Sequence, residues 1–479
     1  MLENRISRAT APAQQHRRRI AFIVVISFLL CGFLIFSRPF WASLGLKDIF
    51  TLAVVVMAVV FWSTGIVDAV ITSILVISLL PLLGVMPYEK ALTGLGDVML
   101  WRLIGILIIT MAVEKTGLAR RLAFYMLRLS GDDLHKTFFL IILFTFLLTF
   151  IVPVSMGRTI LMLAIMSGIL QRAQIGINSN IAKSFSLGIA MTSFMASSSI
   201  IVGATVEIYA AGLFERLIGH KWTYLSWMYT NLPVSLTVCL AAFFVLRPLF
   251  PFERDRAEVG ASIKEDLAKL GPISLGEKKL MAILVALLLI WFTGYSDYFP
   301  AELLLGCFLF FPGIGILRWK EVMCELNWSV VFLYGAATAM AMALGEGSLI
   351  PKLVEFIAPW SAGLGALGNA LIIVTLTVIV RLGMANMLGA VAAMLPFVFA
   401  LAQAAHLNPA WLGMVCVIAS TFGTIHPSQA PSLLIAYGYG YFTARDLRRA
   451  GFYMTVVACA ILLLYACLYW PLIGLKFSD

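Results

Sequence analysis

Two apolar runs of this chain are interrupted near their middles, and few membrane folds accommodate that. Residues 151–165 read IVPVSMGRTILMLAI, with Pro153, Ser155, Gly157 and Arg158 inside the run. Residues 382–396 read LGMANMLGAVAAMLP, interrupted around Asn386. A broken helix frees backbone groups that lipid cannot satisfy, so it survives at membrane depth only where protein buries it or where it lines a cavity. Paired breaks in the two halves of a membrane protein point to a transporter's binding site.

The rest of the chain agrees with a membrane setting. It is 61% hydrophobic and 12% charged over 479 residues, against about 25% charged in soluble domains. Many apolar runs reach about 18 residues, enough to span a bilayer, and they do not alternate as barrel strands would. The net charge of +10 does not imply nucleic acid, because Lys and Arg sit mostly at the ends of apolar runs, where the positive-inside rule places them. Seven scattered cysteines without Cys-x-x-Cys spacing indicate neither a disulfide frame nor a zinc site. The basic tail 1–19 precedes an apolar run at 20–36. That run is long and lacks a small-residue cleavage site, so it is expected to be a retained first span with the N-terminus in the cytoplasm.

Further apolar runs lie at 50–61 and 67–85, with Asp68 expected as an interfacial charge at a span's lip. Residues 98–117 could span or form a re-entrant hairpin. The basic, amphipathic stretch 118–136 reads as a cytoplasmic interfacial helix. A span at 137–150 enters the first break, and helix is expected to resume at Thr159. The run 182–213 is rich in small and hydroxyl residues, as close helix packing or a polar cavity requires. Residues 227–250 close the first half, and the polar stretch 253–279 reads as an exposed linker. The second half repeats the first. MAVEKTGLARRL begins at Met111 and MALGEGSLIPKL at Met342, 231 residues later, and the same step carries Ser155 onto Asn386. This is the mark of an internal duplication. A third break, TFGTIHPSQAPS, precedes a basic segment at 444–449 and a last span at about 452–472, which puts the tail KFSD outside.

These segments resemble the divalent anion:sodium symporter family, which carries dicarboxylates, citrate or sulfate. LIGILIITMAVEKTGLARRLA and LNWSVVFLYGAATAMAMALGEGSL resemble its two re-entrant hairpins. SMGRTILMLAI and NMLGAVAAMLP lie where it has paired Ser-Asn-Thr signatures, IVGATVEIYAAG resembles its Gly-Ser-Pro-Pro-Asn segment, and AYGYGYFTARDLRRAG its C-terminal end. The first signature keeps Ser155, with Met156 and Gly157 after it and Thr159 matching the later threonine; the second reads Asn386-Met387-Leu388. The resemblance implies an all-α polytopic membrane protein of about eleven transmembrane helices, with two re-entrant hairpins and broken helices in an inverted repeat. It further implies a small anionic substrate, sodium as coupling ion, and a homodimer in the inner or plasma membrane that works by an elevator-like movement.

On this basis Ser155, Gly157, Arg158, Thr159, Asn386 and Met387 are the expected anion ligands, and Ser155, Gly203 and Asn386 the expected, backbone-dominated sodium ligands. Arg158 could contact the anion, pair with Glu207, or snorkel, since an unpaired charge at this depth costs at least about 2.5–3.5 kcal/mol; the pair ranks first among Glu207's roles. Glu207 could instead hold a cation or exchange a proton. Arg381 could line the cavity or cap a helix end. His426 is expected as hydrogen-bonded structure, and Gly117, Gly203, Gly345 and Gly347 as turns or close approaches. The Gly-x-Gly patterns at Gly345 and Gly438 follow no strand and open no nucleotide fold, and no HExxH or nucleophile motif indicates an enzyme. The expected organisation is a tail (1–19), a first span (20–48), one repeat (49–250), a cytoplasmic linker (251–279) and a second repeat (280–479). The function expected is a secondary active transporter of a small anion, with sodium coupling. Proton coupling or exchange, or an anion channel on the same fold, is the alternative.

Overall fold

The computed structural model describes residues 44–478 apart from Tyr298, Ala362 and Ala385. The tail and the span expected at 20–36 lie outside these residues. Every regular element among the described residues is helical. Helices of eight residues or more are α1 Leu46–Thr64, α2 Ala69–Leu82, α3 Val98–Thr116, α4 Leu118–Leu127, α5 Leu134–Leu147, α6 Ser155–Arg172, α7 Asn180–Met195, α8 Thr205–Ile218 and α9 Tyr224–Leu249. After α10, Gly260–Lys269, come α11 Leu275–Thr293, α12 Ala301–Phe308, α13 Ser329–Glu346, α14 Leu349–Ser361, α15 Gly365–Gly383, α16 Met387–Ala404, α17 Pro409–Ala419, α18 Pro431–Gly438 and α19 Ala444–Leu464. Seven helical stretches are long and apolar enough to cross a membrane, and three shorter apolar helices accompany them.

The two halves correspond helix for helix. The starts of α3 and α13, α4 and α14, and α5 and α15 are each 231 residues apart, as are those of the short helices Tyr88–Leu92 and Trp319–Glu325. The step is 232 from α6 to α16 and 226 from α8 to α18. Packing between halves is reciprocal: α2 packs on α13 while its counterpart α12 packs on α3, and α8 packs on α16 while α18 packs on α6. Small residues allow these contacts. A Cβ at Gly105 would lie 2.4 Å from the backbone of Glu302 and Leu303, so α3 and α12 meet backbone to backbone.

Each half also holds the other's amphipathic helix through a carboxylate in its own first helix. Asp48 in α1 accepts from Ser348 N at 2.7 Å and Ser348 Oγ at 2.5 Å, capping the start of α14. Glu277, at the corresponding place in α11, accepts from Arg121 Nε of α4 at 2.6 Å and Nη2 at 3.2 Å. Arg121 is buried and also donates to the carbonyls of Leu270, Gly271 and Pro272. Removing one partner of a buried pair costs about 3–5 kcal/mol. Glu277→Gln is therefore expected to lower the melting temperature of the purified protein markedly, whereas Lys115→Gln, which breaks the more exposed pair with Glu321, should leave it nearly unchanged. Equal melting temperatures for the two variants would count against this anchoring role.

The segments likened to re-entrant hairpins each run through a helix and a turn to the next helix, from α3 across Gly117 into α4 and from α13 across Gly347 to the start of α14. In three places the chain departs from the sequence expectation. Helix resumes after the first break at Ser155 rather than Thr159, since Gly157 and Arg158 both fit inside its first turn. The run 182–213 is divided between α7 and α8 by a 3-10 turn at Ala196–Ser199 and extended residues after it. The polar stretch 253–279 is not a free linker. It contains α10, buries Val259 and Ile263, and is pinned by Asp132, whose Oδ1 accepts from Val259 N and Gly260 N at 3.1 and 2.9 Å.

Candidate functional site

Each half now has two breaks, and a helix begins after each one. These four helices, α6, α8, α16 and α18, start around a single cavity of about 410 Å³ between the halves. Ser155 and Met156, Thr205 and Val206, Met387 and Leu388, and Pro431 line it from their first turns. The first N–H groups of a helix have no partner within it and carry the positive end of its dipole, roughly half a unit charge. Side chains cap many other helix starts, among them those at Ser179, Thr223, Ser274, Asn408 and Thr443, although α4, α10, α12 and α15 also begin without one in the capping position. At the cavity, α6, α8 and α18 have Val154, Ala204 and Ala430 in the capping position and no side-chain cap. Only α16 is capped, by Asn386 Oδ1, which accepts from Leu388 N at 3.0 Å and Gly389 N at 3.3 Å. An anion at this place completes three helix starts at once.

Arg158 does not line this cavity. It is fully buried behind it, with Nη1 donating to the carbonyls of Val152 and Pro153 at 2.9 Å each, and Nη2 to Ser193 O at 2.5 Å and Ser197 Oγ at 2.8 Å. The guanidinium thus joins the first break to the end of α7 and neutralises carbonyls that the breaks leave bare. Arg381 plays the corresponding part in the second half. It donates to Met384 O at 2.7 Å and Gln429 O at 2.6 Å, joining that half's two breaks, and lies over the ring of Phe194. Of the two roles open to Arg381, capping is the one the structure displays.

The Arg158–Glu207 ion pair is absent among the described residues. Arg158 is engaged by carbonyls, and both carboxylate oxygens of Glu207 are buried without a hydrogen-bond partner. Glu207 lines the cavity from the first turn of α8 and is fully shielded from bulk solvent. Trp62 of α1 lines it too, and its indole N–H is likewise buried and unpartnered.

Of the expected anion ligands, Ser155, Asn386 and Met387 reach the cavity. Gly157 faces a separate cleft of about 670 Å³ beside Glu114, Lys115, Arg120 and Arg172. The Thr159 hydroxyl turns back to Ser155 O at 2.8 Å. Of the three expected sodium ligands, Ser155 and Asn386 line the cavity, and Gly203 lies next to the lining residue Ala204, where an added Cβ would come 1.9 Å from the Ser197 carbonyl oxygen. His426 orders its own turn, with Nδ1 2.9 Å from Ser428 Oγ. Sequence reasoning missed Trp62, Ala204, Thr205 and Gln429. The uncapped starts did leave a signal, since Val154, Ala204 and Ala430 stand where Ser, Thr, Asp or Asn is usual. Asn386→Ala is expected to cost about 1 kcal/mol of stability through the lost cap while adding a fourth open helix start, so anion affinity in equilibrium binding should fall less than for Ser155→Leu, which intrudes on the cavity.

Comparison with known proteins gives this geometry a setting. Residues 15–476 match the family model described as the sodium:sulfate symporter transmembrane region. A Cupriavidus necator protein described as a membrane protein is 28% identical over 448 residues, 88% of this chain and 87% of its own length. The sodium-dependent dicarboxylate transporter SdcS of Staphylococcus aureus is 22% identical over 471 residues, 92% of this chain and 89% of its own. Two solved structures share the fold. MtrF of Neisseria gonorrhoeae, described with a class of antimetabolite efflux pumps, has a TM-score of 0.57 at 14% identity, covering 82% of this chain and 85% of its own. The YdaH transporter of Alcanivorax borkumensis has a TM-score of 0.53 at 16% identity, covering 80% and 87%. With a match spanning nearly its whole length, this chain belongs to the sodium:sulfate symporter family, as a multi-pass integral membrane transporter rather than an enzyme.

Proposed function

We propose that the protein is a secondary active transporter that holds a small organic or inorganic anion at the starts of α6, α8 and α18. The observation that carries this reading is the absence of side-chain caps on those three helices where they meet one cavity. Preorganised N–H groups bind an anion without reorganising, and they supply the charge that no lysine or arginine on the lining provides. Arg158 and Arg381 hold the geometry; Ser155, Asn386 and Met387 shape the contact surface. Coupling is to sodium, by likeness to the family, and backbone oxygens released at the breaks are suitable hard ligands for it.

The matched halves support an inverted repeat, 49–250 against 280–479, with the linker 251–279 and the N-terminus in the cytoplasm and the C-terminus outside. Alternating access then follows from movement of the four cavity helices against a scaffold in which α9 packs on its counterpart α19, in a homodimer with an elevator-like stroke. Binding stabilises the native state by about 2.7 kcal/mol at a hundredfold excess over Kd. A thermal-shift screen of dicarboxylates, tricarboxylates, sulfate and sulfonates should therefore yield at least one ligand whose effect scales with concentration. In proteoliposomes that ligand should accumulate under an inward sodium gradient, and saturably. Accumulation that is equal in potassium and collapses with a protonophore would remove sodium as the coupling ion; flux that never saturates would remove the carrier reading in favour of a channel.

A further inference from the structure

We propose that the ligand carries an ammonium group as well as its anionic group, and that Glu207 is the residue that receives it. This rests on the carrier reading and names the chemical class of its cargo. Two features of one cavity call for opposite charges. Three uncapped helix starts require an anionic end. Within the same cavity, Glu207 presents two carboxylate oxygens, both buried and both without a partner among the described residues.

No cationic side chain hydrogen-bonds to the Glu207 carboxylate among the described residues. α8 packs on α3, α13, α16 and α17. α16 carries no ionisable residue and α17 only Cys416. On α3, Arg102 donates to the Ser296 carbonyl, Lys115 pairs with Glu321, and Glu114 lies against Gly157. On α13, Glu346 pairs with Lys90, and the Tyr334 hydroxyl donates to Asp97. On α8 itself, Tyr209 donates to Ala337 O and Arg216 pairs with Asp97. Arg158 acts on Glu207 through space only, its Nη1 and Nη2 donating to Val152, Pro153, Ser193 and Ser197.

A buried carboxylate left unpaired is unfavourable, so its partner has to arrive with the ligand. A proton would occupy one oxygen and leave the other acceptor sites empty; an ammonium group brings three donors and a full charge. Sodium requires several oxygen ligands around it, and one carboxylate supplies two of them. The unpartnered indole N–H of Trp62 adds one donor for the ligand's anionic end. A cavity of about 410 Å³ takes a small amino acid or aminosulfonate whole.

The test uses matched probes that differ in the ammonium group: L-aspartate against succinate, and taurine against ethanesulfonate. Binding to the purified full chain in nanodiscs is measured by calorimetry and by thermal shift. In at least one pair the ammonium member is expected to bind about tenfold tighter or more, the size of one charge-assisted contact, and Glu207→Gln should abolish that preference. Glu207→Asp, which keeps the charge but draws it back by one methylene, should reduce it. Equal binding within both pairs, or preference for the plain acids, overturns the inference while leaving an anion site intact. Plain acids that bind tighter on acidification in the wild type but not in Glu207→Gln overturn it in favour of a proton. A preference that survives Glu207→Asp in full also overturns it. Binding of none of the four probes defeats the carrier reading for small organic anions, and this inference with it.

Discussion

Arg158→Met should leave little folded protein. The substitution preserves bulk but removes every donor to Val152, Pro153, Ser193 and Ser197 from a site with no solvent access. A hydrogen bond from a charged group contributes about 1.5–3 kcal/mol, and total stability is about 5–15 kcal/mol, so losing several such bonds consumes much of the margin. Arg158→Lys should recover only part of it, because one ammonium nitrogen cannot span four acceptors held by two breaks. Size-exclusion profiles and melting curves of the detergent-solubilised variants measure this directly. Combining Arg158→Met with Glu207→Gln should bring no rescue, because no hydrogen bond joins the two side chains and the bonds lost are to other groups. Rescue in the double variant would restore the ion pair and remove the clamp.

The second large effect concerns backbone contact rather than charge. A Cβ on Gly203 would lie 1.9 Å from the Ser197 carbonyl oxygen, and one on Gly451 would lie 2.1 Å from that of Thr424. Both neighbours are main chain inside a break, so they can yield only if the break opens. Overpacking of side chains costs about 1–3 kcal/mol, and backbone against backbone should cost more. Gly203→Ala and Gly451→Ala are each expected to lower the melting temperature sharply and to abolish anion binding. Gly168→Ala provides the control. It lies in α6 with nothing within 4 Å of the added methyl, and alanine is about 1 kcal/mol better than glycine in a helix, so that variant should melt at the same temperature or slightly higher. Equal behaviour of Gly168→Ala and Gly203→Ala would show that the break around 196–204 is free to relax.

The broad architecture was legible because hydrophobicity reports it directly. Apolar length gives the spans, and the 231-residue step gives the repeat before any coordinate is known. The breaks at 151–154 and before Met387 were legible because Pro153, Arg158 and Asn386 disturb apolar runs. The break at 196–204 was not, since Ser, Ile, Val, Gly and Ala are all tolerated in a membrane helix, and only the tertiary approach of Gly203 to Ser197 reveals that the chain stops being helical there. The resemblance placed the hairpins on segments that contain α3 and α13, where pattern alone left a span equally open. The fate of Arg158 was also beyond sequence reasoning. A buried arginine announces a need for acceptors, but carbonyls exposed by broken helices have no residue signature, so Glu207 was the visible candidate.

The reciprocal packing of α8 on α16 and of α18 on α6 has a consequence for how the protein is made. Met387 follows Ser155 by 232 residues, and chains elongate at roughly 5–20 residues per second. The first half therefore waits roughly 10–50 s before its counterpart emerges. During that interval the starts of α6 and α8 face neither their partner helices nor an anion. Within the first half, Arg158 already has all of its acceptors, so its clamp can close while the ribosome is still working. The second half thus docks onto a template rather than co-folding with a loose one, and a ribosome paused within the 251–279 segment should expose a half-protein whose breaks are already protected from hydrogen exchange.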